Sequence, residues 1–315
     1  MIRLWGLLTR SATLPARMHG GASGAVRTAS LLALAAAFFP SDARGADRFA
    51  ATSPGVVSVV VDVASGRVLS ATEPRVVAGA ATLPGSILKP LFLAAALEQG
   101  AVLPETTFFC RRDLRVAGRD LRCTHPQTNV AFDAEQGLAY SCNTYFAEMA
   151  RRMSPNALLD VAGHYGLGRL PRLFAKENAG FVAAPHGEED RELFVLGLGG
   201  LEVTAAQVAV AYRRLWLEMH GGETQRVLRP VMSGLRDSVE YGMAHNAATP
   251  GIEVMGKTGT AAERGQFRTH GWFAGAAHVG GREVIVVVYL PVGNGGDAAA
   301  AARRLLLTYE RGPSR

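Results

Sequence analysis

The sequence predicts an α+β fold, an antiparallel sheet flanked by helices with an all-helical lobe set beside it. Three observations carry that class. The β-branched run Val56 to Asp62 is followed by a turn and a returning segment, which marks an early hairpin. The stretch from about Ala134 to Met243 is rich in alanine and leucine with helical periodicity in several pieces, within a helical lobe expected over about residues 80 to 245. After Pro250 the pattern changes to strand-like runs and one closing helix. Strands from both ends can then share one sheet, with the helical segment inserted between them.

Residues 1 to 45 are expected to be a signal peptide or an N-terminal anchor. Arginines run as far as Arg27, an apolar stretch covers Ala29 to Phe39, and Pro40-Ser41-Asp42-Ala43 offers small residues for a peptidase. Eleven residues are short for a bilayer span, which favours cleavage, and the long arginine-bearing lead suggests Met18 as an alternative start to Met1. The net charge of +6 is largely this leader's. It holds five arginines against Asp42, and the remainder carries 28 basic and 26 acidic residues, a net of +2. A nucleic-acid partner is thereby excluded.

The following 46–315 read as one domain. Ala64-Ser65-Gly66 turns the first hairpin, and Arg67 to Ser70 returns. Ser86 to Glu98 is helical and apolar nearly all round, so it is a buried helix ending at Gly100. Cys110 and Cys123 flank a segment with Gly118 near its middle, and in an exported chain facing cysteines there are expected to pair as a disulfide. Further helices are predicted over Asn143 to Met153, Asn156 to Tyr165 and Val203 to Leu217, and a loop over Asn178 to Arg191. Ile252 to Thr258, Gly271 to Val279 and Glu283 to Leu290 are the late strands, and Asp297 to Tyr309 closes the chain as a helix.

Of 33 basic residues only Lys89, Lys176 and Lys257 are lysines. An arginine stays charged at any useful pH and cannot act as a base, so the lysines in Pro84-Gly85-Ser86-Ile87-Leu88-Lys89-Pro90 and Gly256-Lys257-Thr258-Gly259-Thr260-Ala261 draw notice. Lys176 lies in a polar stretch and reads as surface. Ser86 and Lys89 stand three apart at a helix start, one turn apart on one face. The helix N-terminus favours an alkoxide-like Ser86, and desolvation beside a second cation lowers the Lys89 pKa so that it can take the serine proton. In Tyr140-Ser141-Cys142-Asn143, Ser141 can relay a proton to a leaving group and Asn143 can hold a substrate amide, although the same residues also suit a plain helix cap. On the third segment, Lys257, Thr258 and Thr260 suit a substrate carboxylate, and Gly259 permits close backbone approach. The N–H groups of Ser86 and Thr260 can then form an oxyanion hole, where one donor is worth about 3 to 4 kcal/mol.

Two other chemistries fail on context. Gly251 to Thr258 matches the G-x-x-x-x-G-K-T phosphate-loop pattern, but that motif needs a strand before it and a helix after it, and the flanking sequence offers neither, so no nucleotide is expected. The eight histidines show no metal-binding spacing, His164 and His270 read as structural, and no metal or cofactor is expected. The arginines between the two cysteines, Arg111, Arg112, Arg115, Arg119 and Arg122, read as a solvated hairpin face rather than a site for anionic wall polymer.

The three motifs in this order resemble the serine penicillin-recognising family, that is the penicillin-binding proteins and their β-lactamase relatives. The resemblance spans roughly residues 55 to 310. Ser141-Cys142-Asn143-Thr144-Tyr145-Phe146, Val203-Thr204-Ala205-Ala206-Gln207 and His270-Gly271-Trp272-Phe273-Ala274-Gly275 take part in it, and the cysteine pair is similar to one in several members. It implies a β-lactamase/transpeptidase-like fold and a serine D,D-transpeptidase, in which Ser86 attacks the penultimate D-Ala of a peptidoglycan stem peptide. In this scheme Lys89 accepts the proton, Ser141 returns one to the leaving D-Ala, and Asn143 orients the peptide, while Lys257, Thr258, Gly259 and Thr260 hold its carboxylate end. β-Lactam antibiotics and other cell-wall synthesis proteins are the implied partners, and the periplasm or the outer face of the bacterial cytoplasmic membrane the implied location. Larger members carry a pedestal or a glycosyltransferase domain, and neither is read here. No glutamate among Glu177, Glu188, Glu189, Glu192 and Glu202 matches the water-activating residue of class A β-lactamases, and class D enzymes usually have an apolar residue where Asn143 stands. A D,D-carboxypeptidase or β-lactamase-like hydrolase is the neighbouring alternative, and a non-turnover penicillin-binding sensor or scaffold the alternative from another class.

Overall fold

The computed structural model describes residues 55–311 apart from 223, 263, 264 and 266. The expected leader therefore lies outside the described residues. No helix among them is long and apolar enough to cross a membrane.

The framework is a five-stranded sheet in the order Val68–Thr72, Val57–Asp62, Arg282–Leu290, His270–Val279, Val254–Ala261, antiparallel throughout. Strands from both ends of the chain thus meet in its middle, where Val57 pairs with Tyr289 and Val61 with Ile285. The pleat sends alternate residues to opposite faces. Val57, Val59, Val61, Trp272, Ala274, Ile285 and Val287 join the core beneath the helical segment. Val60, Phe273, Val279, Val284, Val286 and Val288 join a second core under the closing helix Gly295–Arg311. Both faces of the central strands are covered, which is why their sequence is a continuous apolar run rather than an alternating one.

The segment that carries Ser86 begins differently from the expected α-helix. Gly85–Leu88 is a turn of 3-10 helix, and the α-helix proper is Lys89–Glu98 with Pro90 in its first turn. Proline lacks an N–H to donate and suits a helix start. With three residues per 3-10 turn, Ser86 and Lys89 are eclipsed, and the Lys89 N–H bonds the Ser86 carbonyl. Ile87 to Leu97 are buried without exception, as a helix with no polar face must be.

The helix Ala205–His220 starts on a capping box: the Thr204 hydroxyl accepts from the Gln207 N–H while the Gln207 side chain accepts from the Thr204 N–H. Between residues 178 and 191 the expected loop is only partly one. Phe181–Val182 pairs with Leu201–Glu202, and a helix runs from Glu188 to Val195. Its first turn is Glu188, Glu189 and Asp190; acidic residues there complement the helix dipole, so the polarity that reads as loop is helix-start chemistry. Before the expected cysteine hairpin, Phe108–Cys110 pairs with Val130–Phe132. The hairpin itself, Arg115–Val116 against Arg119–Asp120, turns on Ala117 and Gly118, both with positive φ as a tight two-residue turn requires.

Candidate active site

Three motif segments converge on one hydroxyl. Lys89 is fully buried, and its Nζ donates to the Asn143 Oδ1 at 2.6 Å, the Ser141 carbonyl at 2.9 Å and the Ser141 Oγ at 3.3 Å. The Lys257 Nζ, equally buried, donates to the same Ser141 Oγ at 2.7 Å and to the Thr258 carbonyl at 3.0 Å. One serine hydroxyl thus sits between two lysine amines from segments 168 residues apart in sequence. Burial pushes Lys89 down to about 8, with the neighbouring Cys123 and Cys142 sulfurs opposing the shift. Burial, reinforced by the Lys89 charge, takes Lys257 well below the ordinary lysine range. A neutral amine near neutral pH is a base, which no arginine can be.

Backbone geometry holds these groups. Ser141 has φ 53°, a left-handed conformation costly for a residue with a Cβ, and it lies between the short helix Ala134–Ala139 and the helix Asn143–Arg151. The expected cap is real, but Cys142 supplies it, through its Sγ and the Tyr145 N–H. Asn143 is committed twice: its Oδ1 accepts a hydrogen bond from the Lys89 Nζ and one N–H of its Nδ2 goes to the Leu121 carbonyl at 2.9 Å.

Ser86 is half-buried on its 3-10 turn. Gly85 before it has φ 56°, and a Cβ there would lie 2.7 Å from the Thr260 carbonyl oxygen and 3.1 Å from the Thr260 nitrogen. The residue before Ser86 therefore rests on the backbone of the edge strand Val254–Ala261, which brings the Ser86 and Thr260 N–H groups into one neighbourhood. Gly259 faces the same turn, where a Cβ would meet the Pro84 carbonyl at 2.7 Å. Thr258 and Thr260 alternate to the other side of Lys257 and Gly259. The Thr258 hydroxyl donates to the Met243 carbonyl, and the exposed Thr260 hydroxyl accepts from the Gly295 N–H at 2.8 Å, at the head of the closing helix.

Several supports escape a motif reading. Gly197 has φ 67°, its carbonyl accepts from the Gly85 N–H at 2.9 Å, and a Cβ on it would strike the Gly85 carbonyl at 2.2 Å. The glycine-rich run Leu196 to Gly200 is the one signal the sequence offers for it. Tyr212 donates to the Ile87 carbonyl at 2.6 Å, and the Trp272 indole donates to the Leu83 carbonyl, on which the buried His270 ring also sits at 2.8 Å. These contacts pin the serine turn from both ends, and His270 is structural as expected. His164 is an outer residue paired with Glu218, and Lys176 is exposed.

Other expectations resolve differently. Lys257 and Thr258 lie inside the strand Val254–Ala261 rather than at a helix start, so the phosphate-loop match is coincidental. Four of these glutamates are committed to structure: Glu177 caps the N–H groups of residues 172–174, Glu188 and Glu192 pair with Arg151, and Glu189 accepts from the Ala117 N–H. Arg112 and Arg119 donate to the Cys123 and Leu198 carbonyls, and Arg122 pairs with Asp120, so the hairpin arginines are in part structural. The expected disulfide is not formed. Cys110 and Cys123 face each other across the hairpin but are free thiols 3.6 Å apart, in a buried space they share with the Cys142 sulfur and the His125 ring.

Comparison with known proteins identifies the family and the fold. Residues 56–307 match the model of the penicillin binding protein transpeptidase domain. A probable peptidoglycan D,D-transpeptidase, PenA of Neisseria flavescens, is 26% identical over 243 residues, 67% of this chain and 59% of that protein, so this chain spans well under two thirds of its length. The transpeptidase domain of Burkholderia pseudomallei penicillin-binding protein 3 superposes with a TM-score of 0.70 at 23% identity, covering 84% of this chain and 89% of the other. A peptidoglycan glycosyltransferase structure from Burkholderia ambifaria gives 0.69 at 21% with the same coverage, and at these identities the two structures speak for the fold alone. With the fold, the motif order and the family match in agreement, the chain belongs to the penicillin-binding protein transpeptidase domain family.

Proposed function

We propose that this protein is an exported serine acyltransferase that acts on the D-Ala-D-Ala ends of peptidoglycan stem peptides and is acylated at Ser86 by penicillins. The observation that carries the reading is the Ser141 hydroxyl held between two buried lysines, one of them with a pKa lowered to about 8. Neutral Lys89 takes the Ser86 proton as the Ser86 Oγ attacks the penultimate D-Ala carbonyl. The N–H groups of Ser86 and Thr260 receive the oxyanion, and as the tetrahedral intermediate collapses, Ser141 passes a proton to the departing D-Ala amine. Lys89 and Lys257 flank that hydroxyl and can reprotonate it. The second N–H of the Asn143 amide orients the peptide, while Lys257, with the edge-strand backbone at Thr258 and Thr260, receives the terminal carboxylate. The substrate lies along the free edge of Val254–Ala261, where an extended peptide adds as a further strand. An amine or water then resolves the acyl-enzyme.

The test is labelling of the purified protein with a fluorescent penicillin beside Ser86→Ala. A durable adduct that Ser86→Ala abolishes is expected, since Glu177, Glu188, Glu189 and Glu192 are committed to structural contacts. Rapid loss of the adduct would assign a hydrolase instead, and the absence of any adduct would refute the acyltransferase reading.

A further inference from the structure

Beside the catalytic lysines lies a cluster the proposed reaction does not use. Cys110 ends the strand Phe108–Cys110, Cys123 and His125 follow the hairpin, and Cys142 precedes the helix Asn143–Arg151. All four side chains are buried, and one ligand atom from each falls within 4.8 Å of every other. The Cys110 and Cys123 sulfurs are 3.6 Å apart, those of Cys123 and Cys142 3.8 Å, and the Cys110 sulfur and His125 Nε2 3.5 Å. A zinc ion bound tetrahedrally, with Zn–S about 2.3 Å and Zn–N about 2.0 Å, needs S···S edges of about 3.8 Å and S···N edges of about 3.6 Å. A disulfide needs its sulfurs about 2.0 Å apart and leaves the third thiol and the imidazole without a task.

The surroundings suit thiolates. Each sulfur receives one backbone N–H: Arg112 to Cys110 at 3.3 Å, Asn143 to Cys123 at 3.2 Å and Tyr145 to Cys142 at 3.5 Å. The His125 ring stands edge-on to Phe132 at 4.9 Å, and its Nε2 is the nitrogen that meets the cluster, at the Cys110 sulfur. From this geometry we infer that Cys110, Cys123, His125 and Cys142 form a closed structural zinc site that ties the hairpin loop to the Ser141-Cys142-Asn143 turn. Zinc binding releases the three thiol protons and leaves a net charge of −1 in the protein interior. That charge sits one residue from Ser141, whose hydroxyl lies within hydrogen-bond reach of the Lys89 and Lys257 side chains, so the metal site borders the groups that carry the proposed reaction. The metal also fixes the loop whose Leu121 carbonyl holds Asn143, and with it the left-handed backbone of Ser141. The site stands on its own geometry; only its effect on acylation rests on the proposed function.

The experiment uses the full chain purified under reductant, with metal content measured by mass spectrometry and the site probed by Co(II) absorption. One zinc per chain is expected, and for cobalt a thiolate charge-transfer band with the intense d–d bands of a tetrahedral site. Cys110→Ser and His125→Ala should each weaken metal retention against a chelator by about tenfold or more, while Ser86→Ala keeps the metal. Removing zinc should slow penicillin labelling of the wild-type chain about tenfold or more, and added zinc should restore it. Substoichiometric metal in zinc-supplied reduced protein, a weak octahedral cobalt spectrum, or a Cys110–Cys123 disulfide in exported protein would each overturn the site. Labelling that ignores zinc removal would overturn the link to acylation. Stoichiometric metal with no labelling of wild type strikes the acyltransferase reading and leaves the site standing, and labelling without metal does the reverse.

Discussion

At the scale of single residues, the chemistry rests on what burial does to an amine. Lys89 has no exposed surface and its pKa falls to about 8. Below that pH it holds a proton and cannot act as a base, so penicillin acylation should rise with pH about tenfold per unit and level off above about 8. A stopped-flow pH profile checks the sign, and a rate that falls through this range would contradict the base assignment. Lys89→Arg keeps the charge but removes the neutral form, and is expected to slow acylation about a thousandfold while the protein stays folded by circular dichroism. Gly85→Ala acts through the backbone. Its φ of 56° and the 2.7 Å approach of a Cβ to the Thr260 carbonyl force the serine turn off the edge strand, so acylation should fall about a hundredfold. The two lysines were legible in the sequence because lysine is otherwise so scarce there. Gly197 and the Leu121 carbonyl were not, because a backbone contact carries no side-chain signature.

At the scale of elements, caps and turns decide where segments begin. The capping box at Thr204 and Gln207 starts the helix Ala205–His220, whose Tyr212 holds the serine turn by the Ile87 carbonyl. Thr204→Ala removes one half of that box and should cost about 1 kcal/mol, or about 2 to 4 °C in Tm by calorimetry. An unchanged Tm would show that burial alone sets this helix start. The hairpin strands and the long helices were legible because periodicity and β-branching persist over whole elements. The helix Glu188–Val195 was not, since a short helix with an acidic first turn has the composition of a loop. The 3-10 character of Gly85–Leu88 was equally hidden, because it depends on Gly85 meeting Gly197 from another segment.

At the scale of the whole molecule, one sheet separates two cores, and the closing helix matters to the site as well as to stability. Its buried Leu305 and Leu306 belong to the same core as Phe273 and Val286, while Gly295 at its head donates to the Thr260 hydroxyl. Leu306→Ala opens a cavity in the second core and should cost about 2 to 5 kcal/mol, measured as a shift of the denaturation midpoint. A cost well under 1 kcal/mol would mean the helix is not integral to the sheet.

By itself the sequence determined the strand–helix–strand order, the antiparallel sheet and the identity of the three motifs, because hydrophobic period, turn residues and lysine scarcity are local properties written along the chain. Only the tertiary structure decided that Lys89 and Lys257 meet at one Ser141 hydroxyl, that Asn143 is committed to Lys89 and Leu121, and that Cys110, Cys123, His125 and Cys142 gather as a four-cornered group rather than a disulfide pair. The physical reason is that distance and burial set both pKa and coordination, and neither exists until residues far apart in the chain are packed into one dry interior.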